Sequence, residues 1–493
     1  MSRQPRRRAG QPAEPSGSKT LLSLLCLALA VEVSAQDAKA PAGRPSKPNV
    51  IVILADDAGF HDLGFQGSRE IRTPHIDRIA AEGIRFSDAY VTTPFCSPSR
   101  AGLLTGRYPQ RFGYEYNLTH NPPPGVSPEI LGLAIEERTI ADLMKAAGYT
   151  TIAIGKWHLG RLEHFHPNQR GFDHFYGFLG GAANYHPGQQ KNETQWIRRN
   201  AELVQPKEYL TGDFGREALA YIERFKSVPF FMYLAFNAVH APMDVVEADL
   251  QRFSHVKDFQ RQRLAAMTWA MDRAVGEVLA ALEQHGLDRD TLVIFTNDNG
   301  GDRTGIGANN APLRGTKGTL LEGGIRVPLA MRWPARVKAG TRSSAIVSLM
   351  DVLPTALDAA GADLPDNLDG ESLLGHVPGP KPRVRKQRSL FWRYDVMAAV
   401  REGRFKLLRF PDRPPQLYDL RRDIAEGRDL ARRQPARVAS LLKKIFAWEA
   451  GLTHARWNTG TYWSQEDVRR YDDKHVARRK ERNRKRLREK YSQ

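Results

Sequence analysis

The sequence predicts an α/β fold in which a large, mostly parallel sheet carries helices on both faces and a small antiparallel sheet-and-helix unit follows. The first observation is that short apolar segments alternate with helix-like segments along the first 385 residues, which is typical of a parallel sheet covered on both sides. The second is that four of the apolar segments run into polar clusters. Because the carboxyl ends of parallel strands meet at one edge of the sheet, these clusters predict a site there.

The strands are predicted from continuous apolar runs, which suit strands that are buried on both faces. They are NVIVILADD, TTIAIGKWHLG, PFFMYLAFNAVHAP, TLVIFTNDNGG and IRVPLAMRWP, beginning at residues 49, 150, 229, 291 and 325. The first four run into the polar clusters, which are Asp56 with Asp57, Lys156 with His158, His240, and Asp298 with Asn299.

The helices are predicted from apolar residues that recur every three or four positions. They cover residues 74–86, 138–149, 213–226, 259–285 and 348–361. Most of them fall between two predicted strands, as the crossover connections of a parallel sheet require.

The pattern changes after about residue 385. The segment RSLFWRYDVMAAVREGRFKLLRF (388–410) predicts antiparallel strands that turn at Glu402 and Gly403. LYDLRRDIAEGRDL (417–430) and a helix over 436–448 follow. We therefore expect a small sheet-plus-helix unit packed on the main domain.

The N-terminus is typical of a signal peptide. A basic stretch precedes the apolar run LLSLLCLALAVEV (21–33), which is too short to span a bilayer comfortably and is followed by small residues. Leu25 before Cys26 does not suit lipoprotein processing. We expect an exported protein, periplasmic or secreted, with a signal peptide over 1–36 and a linker over 37–47. An uncleaved membrane anchor is the alternative.

The net charge of +18 is concentrated at the two ends of the chain. Residues 1–20 carry five Lys or Arg against one Glu, and residues 469–493 carry twelve against four acidic residues. The folded part therefore shows no basic surplus of the kind that nucleic-acid binding requires, and we expect no nucleic-acid partner. The basic tail is interpreted as a solvated helix or frayed end that is dispensable for chemistry. As a binding arm it would take an acidic polysaccharide or an anionic membrane.

Cys96 is the one cysteine that remains after removal of a signal peptide, so no intramolecular disulfide can form. It lies in PFCSPSRAGLLTGR (94–107), where Ser97 fits an N-cap and Pro98 the first helical position. A helix N-terminus favours an anion, and Arg100 can point back at the same anion. A buried structural cysteine is the alternative.

The pattern Cys-x-Pro-x-Arg followed by AGLLTGR resembles the signature of the formylglycine-dependent (type I) sulfatases, in the branch of arylsulfatase A and N-acetylgalactosamine-6-sulfatase. The resemblance extends over about residues 47–450 and includes ADDAGFHDLG, GKWHLG, VHAP, NDNGG and GTKGTLLEGGIRVP in the family's order. It implies an alkaline-phosphatase-like fold and a hydrolase of sulfate monoesters that releases inorganic sulfate. We accordingly expect a catalytic domain over 48–385, a C-terminal subdomain over 386–460 and a basic tail over 461–493.

The resemblance also implies roles for particular residues. A maturation enzyme would oxidise Cys96 to formylglycine (3-oxoalanine), whose hydrate is the nucleophile. The sulfate would be held by three cations: Arg100, Lys156 and Lys317. His158 would be the base for sulfate release, and His240 would protonate the leaving alcohol.

The predicted metal ligands are Asp56, Asp57, Asp298 and Asn299, together with the modified Cys96. An oxygen-rich set favours Ca²⁺ or Mg²⁺ over zinc, and the resemblance implies Ca²⁺. A strand-end cap or salt bridge is the alternative for the two aspartates of ADD. Asn297 stands where the family commonly has serine, and we expect no consequence from it.

Polar and aromatic loops predict a pocket for a sugar, with plain surface loop as the alternative for each residue. The candidates are Arg161, His164, His166, Asn184, Tyr185, His186, Asn309, Asn310 and Arg314. The expected partners are a sulfated sugar or polysaccharide and the maturation enzyme, with no membrane partner after signal removal. Two other functions stay open: a phosphonate monoester or phosphodiester hydrolase of the same superfamily, and a binding protein with an unmodified Cys96.

Overall fold

Two sheets organise the chain, and their strands are numbered in chain order. The main sheet contains β1 (Asn49–Ala55), β2 (Ile84–Tyr90), β3 (Thr150–Lys156), β4 (His174–Phe178), β5 (Arg198–Arg199), β6 (Glu202–Leu203), β7 (Phe230–Ala235), β8 (Thr291–Asn297), β9 (Leu329–Arg332) and β10 (Thr341–Ser348). The small sheet contains β11 (Ser389–Tyr394), β12 (Met397–Glu402), β13 (Phe405–Arg409) and β14 (Gln416–Asp419). The computed structural model describes residues 47–119, 121–377, 388–458 and 461–491, with the backbone alone at 461–464.

The α-helices of these residues cover the main sheet and form the C-terminal part. They are α1 (Pro74–Ala81), α2 (Cys96–Thr105), α3 (Ile140–Ala146), α4 (Leu210–Phe225), α5 (Glu247–Arg252), α6 (Phe259–Gln284), α7 (Glu322–Ile325), α8 (Val352–Ala360), α9 (Pro435–Glu449), α10 (Thr461–Arg469) and α11 (Asp473–Tyr491).

The strand order of the main sheet is β10-β2-β9-β8-β1-β7-β3-β4-β5-β6. Its centre, β8-β1-β7-β3, is parallel throughout. These are the four strands whose carboxyl ends carry the predicted polar clusters. Their adjacency brings those clusters to one edge of the sheet.

Alternate residues of β1 belong to different cores, which shows that both faces of the sheet are buried. Val50, Val52 and Leu54 pack in one apolar cluster, whereas Ile51 and Ile53 pack in the other, and all five are fully buried. Burial on both faces is the reason for the continuous apolar run in the sequence. The predicted large sheet with helices on both faces is confirmed, as is the separate small antiparallel sheet.

The sheet is more mixed than the sequence predicts. β9 runs antiparallel to both β2 and β8. The helix expected over 74–86 ends at Ala81, and β2 begins at Ile84. A Cβ at Gly83 would lie 2.0 Å from the carbonyl oxygen of Met331. Only glycine allows this approach to β9, so the chain leaves the helix there.

The small sheet is antiparallel, as expected, and it contains a fourth strand, β14, that the sequence did not predict. Glu402 pairs with Phe405 across a turn in which Gly403 has φ +54°. A buried charge network joins this sheet to α7. Lys406 lies 2.9 Å from both Glu322 and Glu426, and all three side chains are fully buried.

The C-terminal tail is a docked helix and not a frayed end. In α11, the Tyr491 hydroxyl donates to Asp244 at 2.8 Å and the Asn483 amide donates to the Thr304 carbonyl oxygen at 2.9 Å. Most of the other side chains of α11 are exposed, so the side of this helix that faces away from the protein is solvated as expected. The described residues of Arg44–Gln493 form one compact unit that includes the tail.

The signal peptide and most of the linker lie outside the described residues, so those predictions stay untested. Across the described ranges, none of the helices combines the length and apolarity that crossing a membrane would require.

Candidate active site

Four parallel strands deliver the predicted polar residues to one place. Asp56 and Asp57 follow β1, Lys156 ends β3, and Asp298 follows β8. Facing oxygens and sulfur of Asp56, Asp57, Cys96 and Asp298 all lie within 4.8 Å of one another. The structure thus brings the predicted acidic residues together around Cys96.

Cys96 is the first residue of α2 and is 1% exposed. The helix begins earlier than the sequence predicts, because Phe95 and not Ser97 is its N-cap. The Asn117 side chain accepts from the Ser97 backbone N–H at 3.0 Å, and the Ser97 hydroxyl lies 2.5 Å from that of Tyr114. A neighbouring loop therefore satisfies the helix N-terminus that Ser97 was expected to cap.

The acidic cluster fits a hard divalent cation. Asn299 donates from its amide nitrogen to Asp57 at 2.7 Å, while its buried amide oxygen has no hydrogen-bond partner among the described residues. An unpartnered buried oxygen beside three carboxylates is a ready metal ligand, because leaving it unsatisfied is costly. The oxygen donors are those that Ca²⁺ and Mg²⁺ prefer.

Two buried cations lie against the same carboxylates. Arg100 donates from Nε to Asp298 at 3.0 Å and from Nη1 to the Lys156 carbonyl oxygen at 2.9 Å. Lys156 Nζ lies 2.5 Å from Asp56. Although burial alone would raise it, the pKa of the Asp56 carboxyl is held below its ordinary value by Lys156 and the nearby His240.

Lys317 comes from a separate loop and reaches both the nucleophile position and the acids. Its Nζ lies 3.1 Å from Cys96 Sγ and 2.6 Å from Asp57. Burial opposes the charge, but the carboxylates of Asp57, Asp56 and Asp298 hold the pKa of this ammonium group well above its ordinary value. Lys317 is therefore positively charged at neutral pH in this setting.

Burial, together with the carboxylate of Asp298, raises the pKa of the Cys96 thiol far above its ordinary value. A thiol in this setting stays protonated at neutral pH and is a poor nucleophile as it stands. The environment of Cys96 therefore disfavours direct thiolate chemistry.

His158 is held as a neutral base. Its Nε2 lies 3.2 Å from the Leu118 carbonyl oxygen, to which only a protonated nitrogen can donate, and its buried Nδ1 has no partner among the described residues. Burial and the charges of Lys156 and Arg100 hold its pKa well below the ordinary value. Its φ of +58° is uncommon for a residue with a side chain and marks a strained position.

His240 follows β7 on a loop that Tyr185 fixes. The Tyr185 hydroxyl lies 2.8 Å from the His240 carbonyl oxygen. His240 Nδ1 lies 2.6 Å from the Ala241 carbonyl oxygen and so carries a proton, while Nε2 lies 3.7 Å from Asp57. The ring is about a quarter exposed and lines the cavity described next.

A cavity of about 350 Å³ opens beside Cys96, His158 and His240. Arg161 lines it and lies 3.1 Å from Glu193. Sequence reasoning missed the remaining wall, which comes from loops without a motif: Asn117, Leu118, Thr119, Leu131, Leu179, Gly180, Gly181, Ala182, Asn192, Thr194 and Gln195.

The other predicted sugar-binding residues are not among those that line this cavity. His164 packs on Phe165, and His166 accepts from the Asn168 backbone N–H. His186 Nε2 lies 3.2 Å from the Val245 carbonyl oxygen, and Asn184 donates to Gln189. Arg314 points toward Asp473 at the start of α11, and the Asn309 side chain accepts from Ala311. These side chains contact other parts of the protein and not the cavity.

Two buried asparagines hold the loops of the site through hydrogen bonds to backbone carbonyl oxygens. The buried Asn310 amide donates to the Gly301 and Gly323 carbonyl oxygens at 2.9 Å each. Asn297 donates to the Ala58 carbonyl oxygen at 2.8 Å and also to that of Asn299. Asn297 therefore ties together the loops that follow β1 and β8, a role that the sequence did not lead us to expect.

The tail reaches the loop that carries Lys317. Arg470 donates to the Lys317 carbonyl oxygen at 3.1 Å, and the Tyr471 hydroxyl accepts from the Leu320 N–H at 2.6 Å. Gly318 has φ +85°, a backbone conformation that is strained for a residue with a side chain, and a Cβ there would also lie 2.7 Å from the Arg470 guanidinium. The start of the tail therefore packs on the active-site loop, whereas the expectation that the tail is dispensable for chemistry stays a prediction.

Comparisons with known proteins place most of the chain in one family. The family model described as Sulfatase matches residues 48–362, which is more than half of the chain. The model described as N-sulphoglucosamine sulphohydrolase, C-terminal, matches residues 316–447.

Individual relatives agree with these matches. N-acetylgalactosamine-6-sulfatase of Canis lupus familiaris is 35% identical over 388 residues, which cover 74% of this chain and 72% of the relative. The crystal structure of Ps i-CgsB in complex with k-i-k-neocarrahexaose is 37% identical with a TM-score of 0.79 and covers 87% of this chain and 99% of that one. Phosphonate monoester hydrolase of Agrobacterium radiobacter, at 20% identity and a TM-score of 0.62 over 82% and 96% of the two chains, shares the fold alone. The expected alkaline-phosphatase-like architecture is confirmed.

Proposed function

The chain belongs to the sulfatase family and is a sulfuric ester hydrolase, and we propose that it cleaves sulfate monoesters of a carbohydrate with a formylglycine made from Cys96. The observation that carries this proposal is the setting of Cys96. The residue lies at the start of a buried helix between three carboxylates and Lys317, and its thiol is held protonated. A modified residue suits this position, whereas a free thiolate does not.

The hydrated aldehyde would supply two hydroxyls on one carbon. One would attack sulfur and displace the alcohol, and the other, once deprotonated, would re-form the aldehyde as the C–O bond to sulfate breaks. His158 is the proposed base for that deprotonation. Its Nδ1 carries a free lone pair, and the neighbouring cations keep the ring neutral. His158 and Cys96 line the same cavity.

Arg100, Lys156 and Lys317 are the proposed sulfate clamp. All three are buried cations that now contact Asp56, Asp57 or Asp298. Preorganised cations in a water-poor site stabilise charge that develops on the sulfate oxygens far better than the same groups do in water.

The proposed metal ligands are the side chains of Asp56, Asp57, Asp298 and Asn299, together with the modified Cys96. Ca²⁺ is preferred to Mg²⁺, as the family resemblance implies, and an oxygen-donor set can hold either ion. When bound, the cation would spread the sulfate charge and acidify the attacking hydroxyl. Arg100 and Lys156 orient the carboxylates Asp298 and Asp56 that would hold it.

His240 is the proposed general acid for the departing alcohol. Its Nδ1 proton is committed to Ala241, so its Nε2 is the atom that can carry a second proton to the substrate. It lines the cavity and is partly exposed, as a group that meets the leaving group must be. Arg161 on the same wall is proposed to contact the sugar.

A sulfated carbohydrate is the proposed substrate class. The relatives include a protein named N-acetylgalactosamine-6-sulfatase and a structure in complex with k-i-k-neocarrahexaose. We also propose that the chain is exported through its N-terminal signal and matured by a formylglycine-generating enzyme.

Two measurements test this function. Peptide mass spectrometry of the segment around Cys96 should show the aldehyde in place of the thiol. Steady-state rates on matched aryl sulfate and aryl phosphonate esters should favour the sulfate. An unmodified Cys96 in active protein contradicts the mechanism, and a preference for the phosphonate moves the chain to the alternative hydrolase class.

A further inference from the structure

A second depression, of about 430 Å³, lies in the tail where α10 meets α11. It is lined by Arg469, Asp472, His475, Arg478, Arg479 and Arg482, which we call the arginine face. The α11 members of the set recur every three or four residues and therefore share one side of that helix. Four arginines stand against a single carboxylate, so the depression is strongly cationic.

The arginine face has more positive charge than its own acids neutralise. Glu466 lies 2.8 Å from His475 and 3.1 Å from Arg479. Arg469, Arg478 and Arg482 are exposed and form no ion pair with any side chain that the structure describes. Burial and the like charge of Arg470 lower the pKa of the Arg479 guanidinium, although Asp302 and Glu466 oppose this shift and Arg482 adds to it. Such mutual repulsion is relieved when an anion binds.

This face is continuous with the active-site loop. Arg470, the neighbour of Arg469, donates to the Lys317 carbonyl oxygen and lies over the Phe95 ring at 5.4 Å. Phe95 immediately precedes Cys96, and Lys317 contacts Cys96 directly. The arginine face therefore lies beside the loop that carries Lys317.

We propose that the arginine face is a second anion site, which binds a further sulfate group of a polysulfated carbohydrate whose reacting ester lies at Cys96. The proposal rests on the proposed function, because it takes its ligand from the same substrate. Guanidinium groups suit it, since they bind tetrahedral oxyanions through paired N–H donors. A membrane surface fits less well, because the apolar side chains Val476, Leu487 and Tyr491 are half-buried and leave no apolar face to insert.

The test compares two double variants that each remove two exposed cations from α11. Arg478→Ala with Arg482→Ala changes the arginine face, whereas Lys480→Ala with Arg488→Ala removes equal charge outside it. Both pairs are built on Cys96→Ser, so that binding is measured without turnover. Calorimetry at low ionic strength uses dextran sulfate as the probe, with neutral dextran, anionic phospholipid vesicles and duplex DNA as parallel arms.

We expect the Arg478/Arg482 pair to weaken dextran sulfate binding about tenfold and the Lys480/Arg488 pair to change it less than about twofold. Thermal unfolding of each variant checks the fold. In the Cys96-containing protein, the ratio of kcat/KM for a polysulfated over a monosulfated ester should fall for the Arg478/Arg482 pair alone.

Equal weakening by both pairs, or none by the first, overturns the proposal. Vesicles or duplex DNA that bind as tightly as dextran sulfate and lose affinity with the same pair overturn the choice of ligand. The calorimetric measurement of dextran sulfate binding does not depend on hydrolysis, so it tests the second anion site even if the proposed function is wrong. Mass spectrometry of Cys96 tests the proposed function separately.

Discussion

Lys317 Nζ lies 3.1 Å from the Sγ of Cys96, although the two residues are 221 positions apart. The contact places a positive charge beside the atom from which the nucleophile is to be built. An anion that reacts at residue 96 therefore meets a buried positive charge that needs no rearrangement. Arg470 holds the backbone of that lysine in turn.

Replacing Cys96 with serine should abolish turnover and leave the fold intact. Serine can attack sulfur but has no second hydroxyl with which to release sulfate, so kcat on an aryl sulfate should fall by about 10³-fold or more. Ser99→Ala is the matched control, because Ser99 lies on the same helix and its buried hydroxyl has no partner among the described residues. Multiple turnover by Cys96→Ser near the original rate would sink the mechanism.

Activity should require a hard divalent cation held at Asp56, Asp57, Asp298 and Asn299. Prolonged chelation should remove activity, and added Ca²⁺ should restore it, with metal content followed by elemental analysis. Asn299→Ala should weaken metal affinity about 10- to 100-fold, since it deletes the unpartnered ligand oxygen. Full activity in protein shown to be metal-free contradicts this prediction.

Glu426 should make folding stability depend on pH. Burial and nearby Glu322 raise its pKa to about 7 against the favourable charge of Lys406. The folded protein then keeps a proton that the unfolded chain loses above pH 4.5, so stability falls as the pH rises from 4.5 to 7.

The test measures the free energy of unfolding of the wild type relative to Glu426→Gln. This difference should shrink by at most about 1.4 kcal/mol per pH unit across that window and stay level above it. The exposed Glu136→Gln is the control and should show no such slope. A difference that is flat between pH 4.5 and 7 shows that Glu426 stays ionised in the fold.

The ligand-bearing strand ends were the most predictable part of the molecule. β1 and β8 are apolar runs that stop just before Asp56 and Asp298. An apolar run followed by carboxylates predicts a buried parallel strand with a site at its carboxyl end. Cys96, Arg100, Lys156 and Lys317 belong to the motifs of the family signature, and the structure places Lys317 against Cys96 and Arg100 against the backbone of Lys156.

The rest depends on tertiary contacts that carry no local signal. The sequence predicts a helix where β2 begins, because nothing in GIRF shows that Gly83 must approach β9. The cavity wall comes from loops near residues 117–119, 180–182 and 192–195, which are distant in sequence and lack a shared pattern. The docking of α11 was missed because its charge-rich sequence hides the few residues, such as Asn483 and Tyr491, that hold it.

Arg470 should act as a positioning residue for Lys317. Arg470→Ala removes the hydrogen bond to the Lys317 carbonyl oxygen, and kcat on a small aryl sulfate should fall about tenfold or more while KM changes little. Arg470→Lys should recover part of the rate, and the exposed Lys474→Ala should not alter it. A truncation that ends at residue 465 should show at least the Arg470→Ala loss. Full activity of that truncation means that the loop holds Lys317 without the tail.

The loss of kcat/KM caused by replacing His240 should be larger for substrates whose alcohol is a poorer leaving group. A sugar alkoxide needs a proton as the S–O bond breaks, whereas a nitrophenolate leaves unaided, and general-acid help is typically worth about 10²–10⁴-fold. His240→Ala should therefore lose far more kcat/KM on a sugar sulfate than on a nitrophenyl sulfate. Arg100→Ala and Lys156→Ala should lower both alike, because they are proposed to hold the sulfate itself. Equal losses on the two esters for His240→Ala would assign this histidine to sulfate binding and move the acid role to Lys317, whose ammonium lies against Cys96.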